Sequence, residues 1–361
     1  MTAERTRRIL IVRFGSMGDI VHGLPVLAAL KETFPSWEVD WLVERRWREL
    51  LEGIPQLRRV IVFDTLAWRA QAFSWTAWSD LRQAVGALRA RRYDCALDLQ
   101  GSLKSAVACF LSGAAEIIGL EQPWLKEPAG AVLYTRRVRT DATHIVEANL
   151  SLACALGAHP PSIHFPLPEG NPDSLPADLP LDGLAVLNPG AGWRSKCWAP
   201  EGYAQVCDFL ETACSLPAVL NIGPGEEGLA RQVQAACRVS QPRVYAGSVS
   251  GLIALLRRAR IMIAPDTGPL HLAAALGVPS VGLFGPTDPR RNGPYGGSHR
   301  ALRPENARTS YQHAAGPDQA MDQIHPEQVV SAVRELLDAK HETPGADRPL
   351  AALAEVPCGQ M

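Results

Sequence analysis

Among 361 residues there are eight cysteines, none of them in a Cys-x-x-Cys pair or at zinc-finger spacing. With no signal-peptide pattern ahead of them, they give no disulfide framework or structural zinc site, and a cytoplasmic protein is expected. The apolar stretch in MTAERTRRILIV is four residues long and runs straight into a glycine turn, so it reads as a strand rather than a targeting segment. No apolar run approaches the roughly 18 residues that a bilayer crossing needs. Net charge is also lacking: 36 Lys and Arg stand against 37 Asp and Glu, which removes any global argument for nucleic acid as partner. Attraction for an anionic ligand must therefore be local. Surface association with a membrane stays compatible with all of this.

What the chain does have is punctuation. In PDTGPLHLAAALGVPSVGLFGPTDP, Pro265 to Pro289, a tight turn opens a helix that carries His271 and stops at Gly277, and a strand-like SVGLFG follows. The apolar RIMIA (260 to 264) precedes it, so the order is strand, turn, helix, strand, the unit of a parallel sheet whose first turn faces ligands. Free amides and the positive helix end at Thr267 and Gly268 suit an anion, a pyrophosphate above all. The plainer alternative is that Asp266 and Thr267 cap a structural helix.

The N-terminus repeats the pattern. Strand ILIV (9 to 12) turns through Gly15 and Gly18, with Ser16 able to cap, and Asp19 falls in the first helical turn. An ionised carboxylate is thereby aimed at the end of the first strand, where open α/β sheets face their ligands; a capping aspartate is the alternative. His22 lies three residues on, on the same helical face.

Strand-like runs at 9 to 12, 39 to 43, 60 to 63 and 95 to 99 alternate with helix-compatible segments, and further runs at 184 to 190, 216 to 225, 244 to 247, 260 to 264 and 280 to 285 do the same. Such alternation predicts two α/β domains with parallel sheets, each following a Rossmann-like plan, with a cleft between them. The boundaries expected are 1 to 165 and 166 to 325, joined through the proline-rich stretch from Pro160 to Pro180. A proline-started helix over 326 to 338 is expected to be free to cross back to the first domain, and 339 to 361 to form a flexible tail. In the second domain, PGAGWRSKCW offers glycine amides at Gly190 and Ala191 and the cation Lys196 for a phosphate oxygen, while GPGEE places Glu226 where it can accept from ribose hydroxyls or an adenine amine. A solvated lysine and a helix-terminal glutamate are the alternatives. Lys104 and Lys126 occupy first-domain loops, and Trp68, Trp75 and Trp78 near Arg69 form an aromatic segment suited to lipid or sugar, or to a helix layer.

GSMGDIVHGLPVL (15 to 27), WRSKCWAP (193 to 200), GPGEE (223 to 227) and DTGPLHLAAALGVPSVGLFGPTDP (266 to 289), in this order, resemble the bacterial ADP-heptose:lipopolysaccharide heptosyltransferases, from about Arg8 to about Leu337. YDCALDLQGSLKSA, KEPAGAVLY and HIVEANLSLACALGA resemble the heptosyltransferase I branch, which adds the first heptose to Kdo. The resemblance implies a GT-B fold with the sugar nucleotide held mainly by the C-terminal domain. It also implies Asp19 as catalytic base, Lys196 on the donor phosphate, Glu226 on the nucleoside, and Asp266, Thr267, Gly268 and His271 around the donor. Gly190 and Ala191 stand where relatives often carry hydroxyl residues, so amides are expected to serve there. Ser16, Met17, Gly18, His22, Lys104 and Lys126 are the acceptor-side candidates, and KEP replaces a common arginine.

No two aspartates are separated by a single residue, so the Asp-x-Asp metal motif of many other glycosyltransferases is absent and metal-independent transfer is expected, with no cofactor; a single displacement with Asp19 as the one base is expected to invert the sugar. The partners implied are ADP-heptose and Kdo-lipid A met at the cytoplasmic face of the inner membrane, with no nucleic acid and no obligate protein partner. A nucleotide-sugar epimerase, a noncatalytic nucleotide-sugar sensor, or a transferase of another sugar fits the same architecture.

Overall fold

The computed structural model describes residues 6–64, 75–160, 162–180, 182–310 and 319–341. The chain divides into two compact units between Pro168 and Glu169.

In the first unit, strands β1 (Arg8–Val12), β2 (Glu38–Glu44), β3 (Arg59–Phe63), β4 (Cys95–Asp98), β5 (Glu116–Leu120) and β6 (Arg136–Val138) form one parallel sheet in the order β3-β2-β1-β4-β5-β6. The central β1 is aliphatic on both faces because helices cover both. Leu10 and Val12 enter the core that also holds Leu42, Ala96, Cys109 and Tyr134, while Ile9 and Ile11, equally buried, point the other way. Among the described residues, five α-helices accompany this sheet: α1 (Met17–Val21), α2 (Leu24–Thr33), α3 (Trp75–Arg89), α4 (Leu103–Leu111) and α5 (Ile145–Cys154). The start of α2 carries Pro25, whose missing N–H costs nothing there, and its residues Leu24 to Leu30 are buried, packed beside α5.

The second unit repeats the plan. Its strands β7 (Leu184–Leu187), β8 (Ala218–Asn221), β9 (Arg243–Tyr245), β10 (Ala259–Pro265), β11 (Ser280–Leu283) and β12 (His299–Leu302) are parallel in the order β12-β11-β10-β7-β8-β9. Counted from β7, this is the same strand order as in the first unit, the doubly wound arrangement that reverses direction between its first and fourth strands. The longer helices here are α6 (Pro200–Cys214), α7 (Glu227–Ala236), α8 (Val249–Arg257), α9 (Gly268–Ala275) and α10 (Pro326–His341).

Helix α10 packs within the second unit. Its apolar residues Val329, Ala332, Val333, Leu336 and Leu337 are buried in the second unit's core with Ile261, Ile263, Val281 and Leu283. The helix also packs against α6. It runs to His341, three residues past the expected end, and the expected tail beyond it lies outside the described residues. Among the described residues no helix is long and apolar enough to cross a membrane.

Candidate active site

In each unit the reversal of strand order opens the sheet at the carboxyl ends of two neighbouring strands, and both groups of expected site residues fall there.

In the first unit those strands are β1 and β4. Directly after β1, the buried Arg13 reaches in two directions: its guanidinium donates to the Leu99 carbonyl beyond β4 and forms an ion pair with Asp19 Oδ1 at 2.5 Å. Phe14 N–H donates to Gln100 Oε1 (2.8 Å), tying the two strand ends together. Ser16 precedes α1 and donates to Asp19 Oδ2 from both its N–H (2.9 Å) and its hydroxyl (3.1 Å). The Lys126 ammonium stands 3.5 Å from the same oxygen.

About a fifth of the Asp19 side chain remains open to solvent. Burial alone would raise its carboxyl, but the Arg13 guanidinium, Lys126 and the Ser16 N–H outweigh burial and hold it well below the usual carboxylate range. Asp19 is therefore ionised, held in place through both of its oxygens, and still partly open to solvent.

Lys126 is carried by the turn at Gly101. That residue has φ of +65°, which favours glycine, a Cβ there would press on Leu125 at 3.3 Å, and its carbonyl accepts the Lys126 N–H at 2.9 Å. The turn is fixed in turn by the buried Asp98, whose carboxylate accepts from Gln100 N–H, Gly101 N–H, the Ser105 hydroxyl and the Tyr134 hydroxyl, all within 3.0 Å. Burial raises the Asp98 carboxyl in spite of those bonds.

Lys104 is joined to this region through Phe14, its ammonium lying 4.4 Å from the ring centroid, and through Glu44 at 3.9 Å. Met17, Gly18 and His22 are buried. The His22 ring meets His144 edge-on at 5.5 Å. These three shape the turn from beneath, whereas Ser16, Lys104 and Lys126 are exposed at its surface. Trp68 and Arg69 lie outside the described residues, as do the side chains of Trp75 and Trp78.

The second unit's reversal lies between β7 and β10. The Lys196 ammonium donates to Asp266 Oδ2 (2.7 Å) and to the Asp266 carbonyl (3.3 Å), and it lies 4.6 Å from the Trp193 ring centroid. His271 Nε2 contacts the other oxygen, Asp266 Oδ1, at 3.0 Å. Asp266 is thus held between two nitrogens. Burial pushes its carboxyl up, but the His271 bond and the Lys196 charge prevail and hold it well below the usual range. Two of the ammonium's three N–H bonds are committed to Asp266, which fixes the cation in place. At the start of α9, Thr267 turns its hydroxyl back to the Pro265 carbonyl (3.1 Å), so its side chain makes no cap for the helix and the amide end at Thr267 and Gly268 stays partly open.

Beside it, Glu226 Oε2 accepts the Gly223 N–H at 2.7 Å, and the carboxylate lies over Gly190, where an added Cβ would come within 2.1 Å of it. Gly190 is what lets Glu226 reach this loop. Ala191, next along the same loop, is partly buried. Two buried asparagines fix the loop from below: Asn188 donates to the Gly190 carbonyl (2.7 Å), and Asn221 donates to Asn188 Oδ1 (2.5 Å).

Arg13, Asp98, Gln100, Asn188 and Asn221 thus hold the candidate residues and their loops in place, and the sequence reading missed them. All five stand at or just beyond strand ends, the one signal that would have found them. Among the described residues, no group of three or more His, Cys, Asp or Glu is arranged to hold a metal ion.

The chain matches the family described as glycosyltransferase family 9 (heptosyltransferase) over residues 81–318. It is 31% identical to lipopolysaccharide heptosyltransferase 1 of Pseudomonas aeruginosa, covering 81% of this chain and 82% of that one, and 28% identical to the Escherichia coli K12 protein of the same name, covering 82% and 93%. The solved structure of the E. coli heptosyltransferase WaaC with ADP superposes with a TM-score of 0.77 at 26% identity, over 91% of this chain and 99% of that one. The two doubly wound units are accordingly a GT-B fold, and the chain is an enzyme that belongs to glycosyltransferase family 9, the heptosyltransferase family.

Proposed function

We propose that this enzyme moves heptose from ADP-heptose to Kdo of the lipopolysaccharide inner core by a single inverting displacement, with Asp19 as general base and no metal ion. The acceptor hydroxyl oxygen attacks the anomeric carbon as the bond from that carbon to the diphosphate breaks. The hydroxyl proton passes to the Asp19 carboxylate, and ADP leaves with the bonding electron pair. One displacement needs one base, and negative charge grows on the diphosphate, where a fixed cation and open amides counter it. Lys196, Thr267 and Gly268 supply these, with Gly190 and Ala191 in the neighbouring loop. Asp266 and His271 hold Lys196 in place, and Glu226 takes the nucleoside hydroxyls. The acceptor side is assigned to Ser16, Lys104 and Lys126, with Met17, Gly18 and His22 shaping the turn that carries the base.

The observation that supports this reading best is the state of Asp19: ionised at the end of β1, partly open, and held in one orientation by Arg13 and Ser16. So strongly stabilised a carboxylate is a weak base until one of its cations is drawn off. Lys126, half-exposed at 52%, is the cation that an acceptor carboxylate can take. Acceptor binding then raises the basicity of Asp19 when the proton has to move. The names of the two bacterial relatives and the ADP-bound WaaC structure support the donor and the pathway.

The test is mass analysis of Kdo-lipid A after incubation with ADP-heptose and the enzyme. A mass gain of one heptose with release of ADP is expected, unchanged by EDTA. Asp19→Ala should lower turnover by roughly 10²- to 10⁴-fold while leaving ADP affinity intact. Conversion of the donor without an acceptor would instead mark an epimerase, and an Asp19→Ala enzyme of near-normal rate would end the base assignment.

A further inference from the structure

Five large apolar side chains are well exposed among the described residues: Leu103 (46%), Val107 (38%), Phe110 (55%), Val132 (78%) and Val239 (60%). Three of them recur at intervals of four and three along α4, which puts Leu103, Val107 and Phe110 on one face of that helix. The opposite face, Ser105, Ala106, Ala108 and Cys109, is buried against the sheet. The short helix Pro128–Leu133, which carries Val132, lies along α4, close enough that a Cβ on Gly130 would lie 3.1 Å from the Ser102 carbonyl. An ordinary surface helix is polar on its outer side, whereas α4 is apolar on both.

The rim of this patch is cationic. Lys104 shares the exposed face, and Arg89 at the other end donates to the Leu111 carbonyl at 3.0 Å. Lys126 precedes the Val132 helix. Acids lie here too: Glu127, whose carboxylate accepts the Leu103 N–H at 2.8 Å, and Glu44 and Asp19, which pair with Lys104 and Lys126 but are far less exposed than those lysines. Apolar side chains bounded by cations are the chemistry of a surface that rests in the headgroup layer of an anionic bilayer. The patch also begins where β4 ends, at the mouth that holds Asp19.

We infer that the outer face of α4, with Val132, is the surface by which this enzyme docks on an anionic lipid bilayer. The inference rests on the proposed function in one respect: a lipid-linked acceptor has to be met at a membrane surface, and this face adjoins the proposed base.

The test is co-sedimentation of the full chain with vesicles of phosphatidylcholine alone or mixed with phosphatidylglycerol. Binding should require phosphatidylglycerol and weaken with salt. Phe110→Ser and Val107→Ser should each weaken partitioning by roughly tenfold, equivalent to about 1.4 kcal/mol. Val239→Ser, on the other unit, should leave it unchanged. Because these side chains are exposed, all three variants should keep the wild-type melting temperature and ADP affinity.

Equal sedimentation with neutral vesicles, no sedimentation at all, or unchanged binding by Phe110→Ser would overturn the inference. So would a wild-type dimer that Phe110→Ser converts to monomer, since a second copy would then cover the face. Transfer to a delipidated Kdo acceptor separates this surface from the proposed function: Phe110→Ser should match wild type there. Absence of transfer by the wild type would count against the function and leave the vesicle result standing.

Discussion

Replacing Asp266 by asparagine keeps the shape of the side chain and removes the charge that holds Lys196. At 2.7 Å the pair's gross attraction is about 6 kcal/mol with an effective dielectric near 20. Desolvation of two largely buried groups, 14% and 8% exposed, cancels much of it. A net coupling of about 2 to 3 kcal/mol is therefore expected from the double-mutant cycle of Asp266→Asn with Lys196→Met. The single change Asp266→Asn should cost more, about 3 to 5 kcal/mol, because it leaves a buried ammonium without its counter-charge. For a unit of this size, each kcal/mol lowers the melting temperature by roughly 2 to 4 °C. Calorimetry of the four proteins measures the cycle, and titration with ADP measures its consequence. Asp266→Asn should weaken ADP about as much as Lys196→Met does, since a lysine that is no longer held cannot meet the diphosphate reliably. If the double variant's loss equals the sum of the singles within about 0.5 kcal/mol, or if ADP binds Asp266→Asn normally, the positioning argument is wrong.

Arg13→Met removes the strongest influence that depresses Asp19, so an acid limb should appear in the pH profile of kcat/KM where wild type shows none. The same change should cost about 2 to 4 kcal/mol in chemical denaturation, and an unaltered profile would count against Arg13 as the group that sets the base. Gly190→Ala should leave the melting temperature nearly unchanged, because the clashing atoms are the movable end of Glu226, yet it should weaken nucleotide binding by displacing that carboxylate; equal ADP affinity would contradict the assignment of Glu226. Asp19 and Asp266 are both depressed in the folded chain, so the stability they contribute is full above the unfolded carboxylate value of about 3.9 and is lost as pH falls through and below it. Asp98, raised by burial, works in the opposite sense. Unfolding by urea between neutral pH and acid should show stability falling from about pH 5 downward, with a shallower fall in Asp266→Asn; parallel curves for the two proteins would rule out Asp266 as a source.

Local pattern was enough for most of the strands. Runs such as ILIV, VIVF and RIMIA are short, aliphatic and bounded by turn residues, and a strand buried on both faces leaves no other pattern. β5, β6 and β12 were not anticipated. β6 and β12 close the edges of their sheets, are three and four residues long and carry arginines, as RRV and HRAL. Edge strands are short and charged for the same reason that they avoid pairing with other chains, and this erases their signal. β5, EIIGL, is interrupted by a glycine that lies under Tyr134.

By itself the sequence determined where the candidate residues stand, since glycine turns after strands, one aspartate in a first helical turn, and a lysine and a glutamate in later loops can be read from order and spacing, while the class of the chemistry came from the resemblance of four motifs in one order to a known family. Only the tertiary structure decided the electrostatics of those residues. Arg13 reaches Asp19 because β1 and β4 are neighbours, and Lys196 reaches Asp266, seventy positions away, because β7 and β10 are. Charge interactions depend on distance and burial through space, and both are set by which strands lie side by side. No one-dimensional pattern carries that quantity. The exposed face of α4 belongs with these: as sequence it is one more apolar helix, and only the packing of its other side against the sheet shows which half is left to the solvent.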